Sequence, residues 1–107
     1  HILYHKRMKQ DVKYLYDPEK NKQLKESRGV NFEDVILAIK QGYFLDVKRH
    51  HNLIKYPNQK IAVIEIKGYA YQVPFIEEGD TIILKTAYAS RKATEFYLKN
   101  KRENHDD

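Results

Sequence analysis

Apolar residues recur along this chain with two different periods. Between Asn31 and Gly42, the residues Phe32, Val35, Ile36 and Ile39 fall at i, i+3, i+4 and i+7, the spacing of one face of an α-helix. Asn31 supplies an N-cap oxygen, Glu33 and Asp34 put negative charge at the positive end of the helix dipole, and Gly42 supplies a stop. Upstream, Asp17 followed by Pro18 reads as a cap with proline at the first helical position, opening a helix that runs to about Arg28 and stops at Gly29. Leu24 is the one large apolar side chain of that first helix, so neighbours must hold it in place. Beyond Gly42 the period falls to two. Tyr43 to Val47, Lys60 to Lys67, Tyr69 to Glu77 and Thr81 to Ala89 read as strands rich in Ile, Val, Tyr and Phe. Gly68 and the Glu78, Gly79, Asp80 cluster mark tight turns, so the last three strands form an antiparallel meander. Pro74 requires an edge position, a bulge or an amide that faces away from its neighbour. His50 to Gln59 reads as a longer loop, and Ser90 caps a third helix from Arg91 to about Lys101, with Ala93, Phe96 and Tyr97 on one face.

This order predicts an α+β fold: two N-terminal helices, an antiparallel meander sheet and a C-terminal helix, with the helices on one face and the other face left for a ligand. At 107 residues the chain holds one core. The expected division is an extension or expression remnant at 1–13, one domain at 14–101 and a polar tail at 102–107, with Met8 reading as a native start and residues 1–7 as dispensable. No apolar run approaches the roughly 18 residues of a membrane span, and the first residues show no signal-peptide pattern. The absence of cysteine excludes disulfides and thiol chemistry. A cytoplasmic protein is expected. The formal net charge of +5 favours a polyanionic or acidic partner.

Candidate chemistry gathers at two places in the sequence. Arg91 and Lys92 stand in the first turn of the third helix, where the dipole is already positive, at a cost of roughly 0.3 to 1 kcal/mol. A phosphate held by the free amides, the Ser90 hydroxyl and the Arg91 fork converts that cost into attraction. Two solvated cations are the plain alternative. His50 and His51 adjoin Arg49, Lys55, Tyr56 and Lys60, and histidine is the usual proton carrier near neutral pH. Adjacent residues on an extended chain point apart, so a metal shared by both is not expected, and no cysteine or carboxylate completes a site. Lys85 alternates with Leu84 and so points to the face that Leu84 leaves. Tyr69 and Tyr71 share a face and can stack bases, although packing is the commoner role for such residues. The chain lacks a Walker loop, G-x-G-x-x-G, H-E-x-x-H, zinc-ligand spacing and G-x-S-x-G, which argues against a nucleotide-driven motor or a zinc enzyme.

Two segments carry a resemblance. Tyr16-Asp17-Pro18-Glu19-Lys20-Asn21 leads to Arg28-Gly29-Val30-Asn31-Phe32-Glu33-Asp34-Val35, and Ser90-Arg91-Lys92-Ala93-Thr94 leads to Tyr97. Together they resemble the BrnT family of toxin ribonucleases from type II toxin-antitoxin modules, over about Leu15 to Leu98. Tyr16 stands where that family commonly has Trp, and the segments at Tyr56 to Lys60 and Val73 to Phe75 mark a divergent branch. The resemblance implies a RelE-like fold, RNA cleavage without metal or cofactor, and a cognate antitoxin that binds DNA and represses the operon. Only Arg91 rests on a matching motif. Chemistry adds His51, Lys60 and Lys85 as catalytic candidates, with Ser90, Lys92, Lys55, Tyr56, His50 and Arg49 as RNA contacts. The rival expectations are a non-enzymatic RelE- or ParE-like protein that inhibits a target such as a topoisomerase, and a plain RNA-binding module.

Overall fold

The computed structural model describes residues 12–99. The expected extension up to residue 11, the helix end at residues 100–101 and the polar tail at 102–107 lie outside the described residues. Both N-terminal helices form where their capping signals place them. In α1 (Pro18–Arg28), the Asp17 side chain accepts a hydrogen bond from the Glu19 amide and Gly29 closes the helix at φ 70, a left-handed conformation that suits glycine. Helix α2 (Phe32–Lys40) has a full capping box, with the Asn31 side chain accepting from the Asp34 amide and Asp34 accepting from the Asn31 amide. Its Phe32, Val35 and Ile39 are buried, as their spacing requires.

The strands are β1 (Lys13–Leu15), β2 (Phe44–Arg49), β3 (Lys60–Ile66), β4 (Tyr69–Glu78), β5 (Thr81–Leu84) and β6 (Tyr88–Ala89). They form one open sheet in the order β1-β5-β4-β3-β2, with β6 on the edge of β4 beside β5. The β2-β3-β4-β5 path is antiparallel, as the turn residues predict for β3 to β5. The sheet as a whole is mixed, because β1 runs parallel to β5, Lys13 opposite Thr81. A strand of three residues has too short a pattern to be read in sequence, and Lys13 belongs to it rather than to an extension.

Pro74 explains a second correction. The expected strand from Thr81 to Ala89 is two strands. The Lys85 amide donates to the Pro74 carbonyl at 2.9 Å, but proline has no N–H to return. With half of the bonded pair missing, the chain leaves the ladder after Lys85 and rejoins β4 at Tyr88 opposite Gln72. Pro74 itself is buried in a central strand; its nitrogen faces Lys85, and the neighbouring chain departs where the donor is lacking.

The helices lie on both faces of the sheet, not on one. Ala62, Ile64, Val73, Phe75, Ile82 and Leu84 pack with Leu24, Phe32, Val35 and Ile39 of α1 and α2. The alternate residues Val63 and Ala70 pack instead with Ala93, Leu98, Leu45 and Tyr97. The sequence carries the reason: Ile61-Ala62-Val63-Ile64 is apolar at every position, and a strand of that kind must be covered on both sides. The cover on the second face is α3 (Arg91–Ala93), continued by a π-helical segment (Thr94–Lys99). The wider turn moves the buried stripe to Ala93, Tyr97 and Leu98, and Phe96, expected to pack, is 62% exposed. A bulge between Phe44 and Asp46 turns both Leu45 and Asp46 to this face, where Asp46 accepts from the Tyr97 hydroxyl at 2.5 Å. Burial, then that bond, pushes the Tyr97 pKa up to about 12.

Seven register pairs join β3 to β4 through a two-residue turn with Lys67 at φ 55 and Gly68 at φ 79. Such a turn needs positive φ at both central positions, which a lysine adopts only at a cost of roughly 1–2 kcal/mol. Asparagine tolerates the left-handed region better. The variant Lys67→Asn therefore gains about 0.5–1 kcal/mol in urea unfolding with an unchanged m-value; a loss of stability would show that the lysine side chain is itself holding the turn.

Candidate functional site

The two sequence clusters end up at opposite ends of the sheet. Ser90 lies beside the start of β4, its amide donating to the Ala70 carbonyl at 3.0 Å. Lys60 is opposite Phe75, and the His50 amide donates to the Gln59 carbonyl one step further along. From Ala70 to Phe75 is five residues of extended chain, about 17 Å. Arg91 and His51 therefore cannot hold one phosphate together. Lys85 stands between them, beside Pro74, on the face opposite Leu84 and so opposite Lys60. The four catalytic candidates Arg91, His51, Lys60 and Lys85 do not converge.

At the Arg91 end, much of the chemistry is already used by the fold. The Ser90 hydroxyl oxygen accepts from the Ala93 amide and from Gln72 Nε2, and the Gln72 carbonyl accepts from Tyr88 Oη. Thr94 Oγ1 bridges the Ser90 carbonyl and the Ala70 amide. Arg91 and Lys92 are exposed, with only a three-residue α-turn behind them. The tyrosines proposed for stacking are likewise engaged: Tyr71 packs on the core with Tyr69 edge-on against it, rings 6.3 Å apart.

The first resemblance segment is also structural. Tyr16 Oη and Asn21 Nδ2 both donate to Glu33, at 3.0 and 2.9 Å, and Asn21 Oδ1 accepts from the Phe32 amide at 2.6 Å. The Tyr16 ring lies 5.1 Å from that of Phe32. These residues clamp the start of α1 to the start of α2. The bonds from Asn21 and Tyr16 hold the Glu33 carboxyl below its ordinary range.

The other end holds a built cluster. His50 directly follows β2, at the start of the long loop, and is only 8% exposed. The Asn52 amide donates to His50 Nδ1 at 3.0 Å, which leaves the proton of the neutral ring on Nε2. That bond folds the chain back, so the histidines do not point apart: the His51 ring lies 4.5 Å from His50, and Tyr56 lies 4.6 Å from it. Lys55 Nζ sits 5.3 Å from the Tyr56 ring. Asn52 also accepts from the Lys55 amide and from the Tyr56 amide, so the loop contains a capped helical turn. Burial, then the neighbouring His51, lowers the His50 pKa. Arg49 stands directly opposite Lys60 across the β2-β3 pair. Like charges in that relation repel, and Glu77, 3.8 Å from Lys60, offsets part of the repulsion.

Beside this pair opens a pocket of about 640 Å³, bounded by Arg49, Lys60 and the loop. Asn58, Gln59, Glu77 and Glu78 also line it. None was singled out by sequence, because they come from two segments that only the β3-β4 register brings together. Among the described residues, no three His, Cys, Asp or Glu side chains are grouped as metal ligands, and no helix is long and apolar enough to cross a membrane. No protein-family model, curated protein or solved structure matches the chain.

Two outcomes follow from this geometry. Since folding favours neutral His50, the unfolded chain binds the extra proton first as pH falls. Stability is then complete above the ordinary value of 6.5, declines from there down to the lowered folded value, and is flat below it. NMR titration of the ring should give a midpoint below 6.5, and His50→Phe should shrink the fall in thermal midpoint between neutral and acidic buffer. A midpoint at or above the ordinary value would mean that the ring is not shielded. Independently, Asn21→Ala strips the Phe32 amide and Glu33 of a partner and should cost about 1–3 kcal/mol in denaturant unfolding. A change within error would remove the clamp from the account.

Proposed function

We propose that this chain is an endoribonuclease of the toxin type, RelE-like in fold, which cuts RNA at the His51 end of the sheet. The observation that carries the reading is the Arg49–Lys60 cross-strand pair, set one residue before the stacked histidines. Two cations placed face to face repel, Glu77 offsets part of that repulsion, and a further anion bound beside the pair would offset more. An RNA phosphate is such an anion, and the net charge of +5 draws it in. The order helix, helix, meander, helix adds support, since it is the order found in the family that the chain resembles.

In this reading Arg49 and Lys60 grip the scissile phosphate. The exposed His51 imidazole takes the proton from the ribose 2'-hydroxyl, and the 2'-oxygen attacks phosphorus. The bond to the 5'-oxygen breaks, that oxygen takes a proton from the Lys60 ammonium, and a 2',3'-cyclic phosphate remains. His50 supports the His51 ring, and Tyr56 in turn packs against His50. Arg91, Lys92 and Lys85, too distant for the same phosphate, touch other nucleotides of the strand. The partner is an acidic antitoxin that covers this basic end and, bound to DNA, represses the operon, with the whole cycle in the cytoplasm.

A second reading has its own observation. Ile54, at the tip of the capped turn, is 97% exposed next to the exposed Leu53, which favours a protein-binding module without catalysis. Gel electrophoresis of RNA incubated with the purified protein and EDTA separates the two. Fragments ending in cyclic phosphate are expected. His51→Ala should slow cutting by about 100-fold or more, the range of a lost proton-transfer group, whereas Arg91→Ala should weaken RNA binding and change its salt dependence with little effect on the rate at saturation. Intact RNA would leave the protein-binding reading standing, and a rate lost only in the Arg91 variant would move the site to the other end of the sheet.

A further inference from the structure

The pocket beside Arg49 and Lys60 is not a simple phosphate cradle, because Glu77 and Glu78 line it as well. A phosphate lodged at its centre would face two carboxylates. The remaining walls are of two kinds. Leu53, Pro57 and Ile76 offer apolar surface, and the Asn58 and Gln59 amides offer both donors and acceptors. Flat apolar faces and a hydrogen-bonding edge are the complement of a nucleobase, with the cations left to hold the attached phosphate. The volume of about 640 Å³ is within the range of small-molecule sites.

We propose that this pocket receives one unpaired nucleobase bearing an exocyclic amino group, and that the Glu78 carboxylate reads that group. The proposal rests on the RNA reading above and names its substrate preference. An ionised carboxylate only accepts hydrogen bonds, so its match is an exocyclic amino group, that of cytosine, adenine or guanine. Uracil has no amino group, and its single N3–H is flanked by two carbonyl oxygens that repel a carboxylate, so it is the poorer match. The edge being read is the pairing edge, which a duplex hides, so single strands are selected. Glu77 is drawn toward Lys60, the side-chain exposures being 14% and 52%, and forms a fixed wall. Glu78, at the end of β4 and exposed, is the carboxylate that can turn to the base.

The test uses the full chain and short 2'-O-methyl oligomers of C, A and U, which lack the nucleophile and are not cut, with binding read by fluorescence anisotropy. The wild type should bind the C and A oligomers about three- to tenfold more tightly than the U oligomer, the worth of one good hydrogen bond. A duplex of the same length should compete poorly. Glu78→Gln, at an exposed position where folding is checked by thermal midpoint, should close the gap between C and U. Equal affinity for all three oligomers overturns the proposal. So does a Glu78→Gln variant that tightens all three by one common factor, since that is charge repulsion alone. Cleavage of natural RNA without base preference removes the base pocket and leaves the nuclease, whereas base preference without cleavage does the reverse.

Discussion

The β3-β4 ladder is the constraint on which everything else hangs. Its seven pairs run from Lys60 opposite Phe75 to Ile66 opposite Tyr69, closed by a turn whose two residues both have positive φ. Side chains alternate with period two, so a slip of one residue would exchange the faces: Ala62, Ile64, Val73 and Phe75 would turn away from α1 and α2. Because both faces of these strands are apolar and both are covered, neither a slipped register nor an uncovered face is tolerable. The fully buried Phe32 and Phe75 alone account for about 1.5–3 kcal/mol each of the burial that enforces this.

The same ladder decides which charged groups can meet. It carries Arg49, Lys60 and Glu77 to one end of the sheet and Ser90 and Arg91 to the other. Both ends hold cations in places that electrostatics disfavours, yet they differ in kind. At the Arg91 end the polar groups are spent on the joints between β4, β6 and α3. At the other end the Asn52 bond to His50, the stacked rings and the capped turn hold a loop in shape without closing it. The loop is thereby held rigidly beside a cation pair that Glu77 neutralises in part.

Sheet edges are managed by the same local irregularities that build the second core. The β2 bulge that turns Leu45 and Asp46 inward also breaks the regular edge. Pro74 ends the β5 ladder early, and the chain that leaves there passes Ala87, whose carbonyl accepts from Arg28 of α1. A missing donor in a central strand is thereby linked to the anchoring of a helix that has only Leu24 to bury.

The helices and the meander were legible from sequence because their signals are local: Asp17-Pro18, the Asn31 capping box, the stripe of Phe32, Val35 and Ile39, and the turn glycines each act within a few residues. So was the presence of two clusters of cations. Their separation was not, because it depends on how many residues of β4 lie between the partners of Ser90 and of Lys60. The parallel β1 strand, the π-helical turn that replaced Phe96 with Leu98 in the core, the burial of His50 and the pocket with Glu77 and Glu78 were equally hidden. Each is settled by contacts between segments distant in the chain, where packing and hydrogen-bond satisfaction outweigh local preference. The sequence by itself determined which segments could be helix or strand and which of their faces needed cover; the tertiary structure alone decided which charged groups share a site, since proximity across a sheet is a property of register and not of residue order.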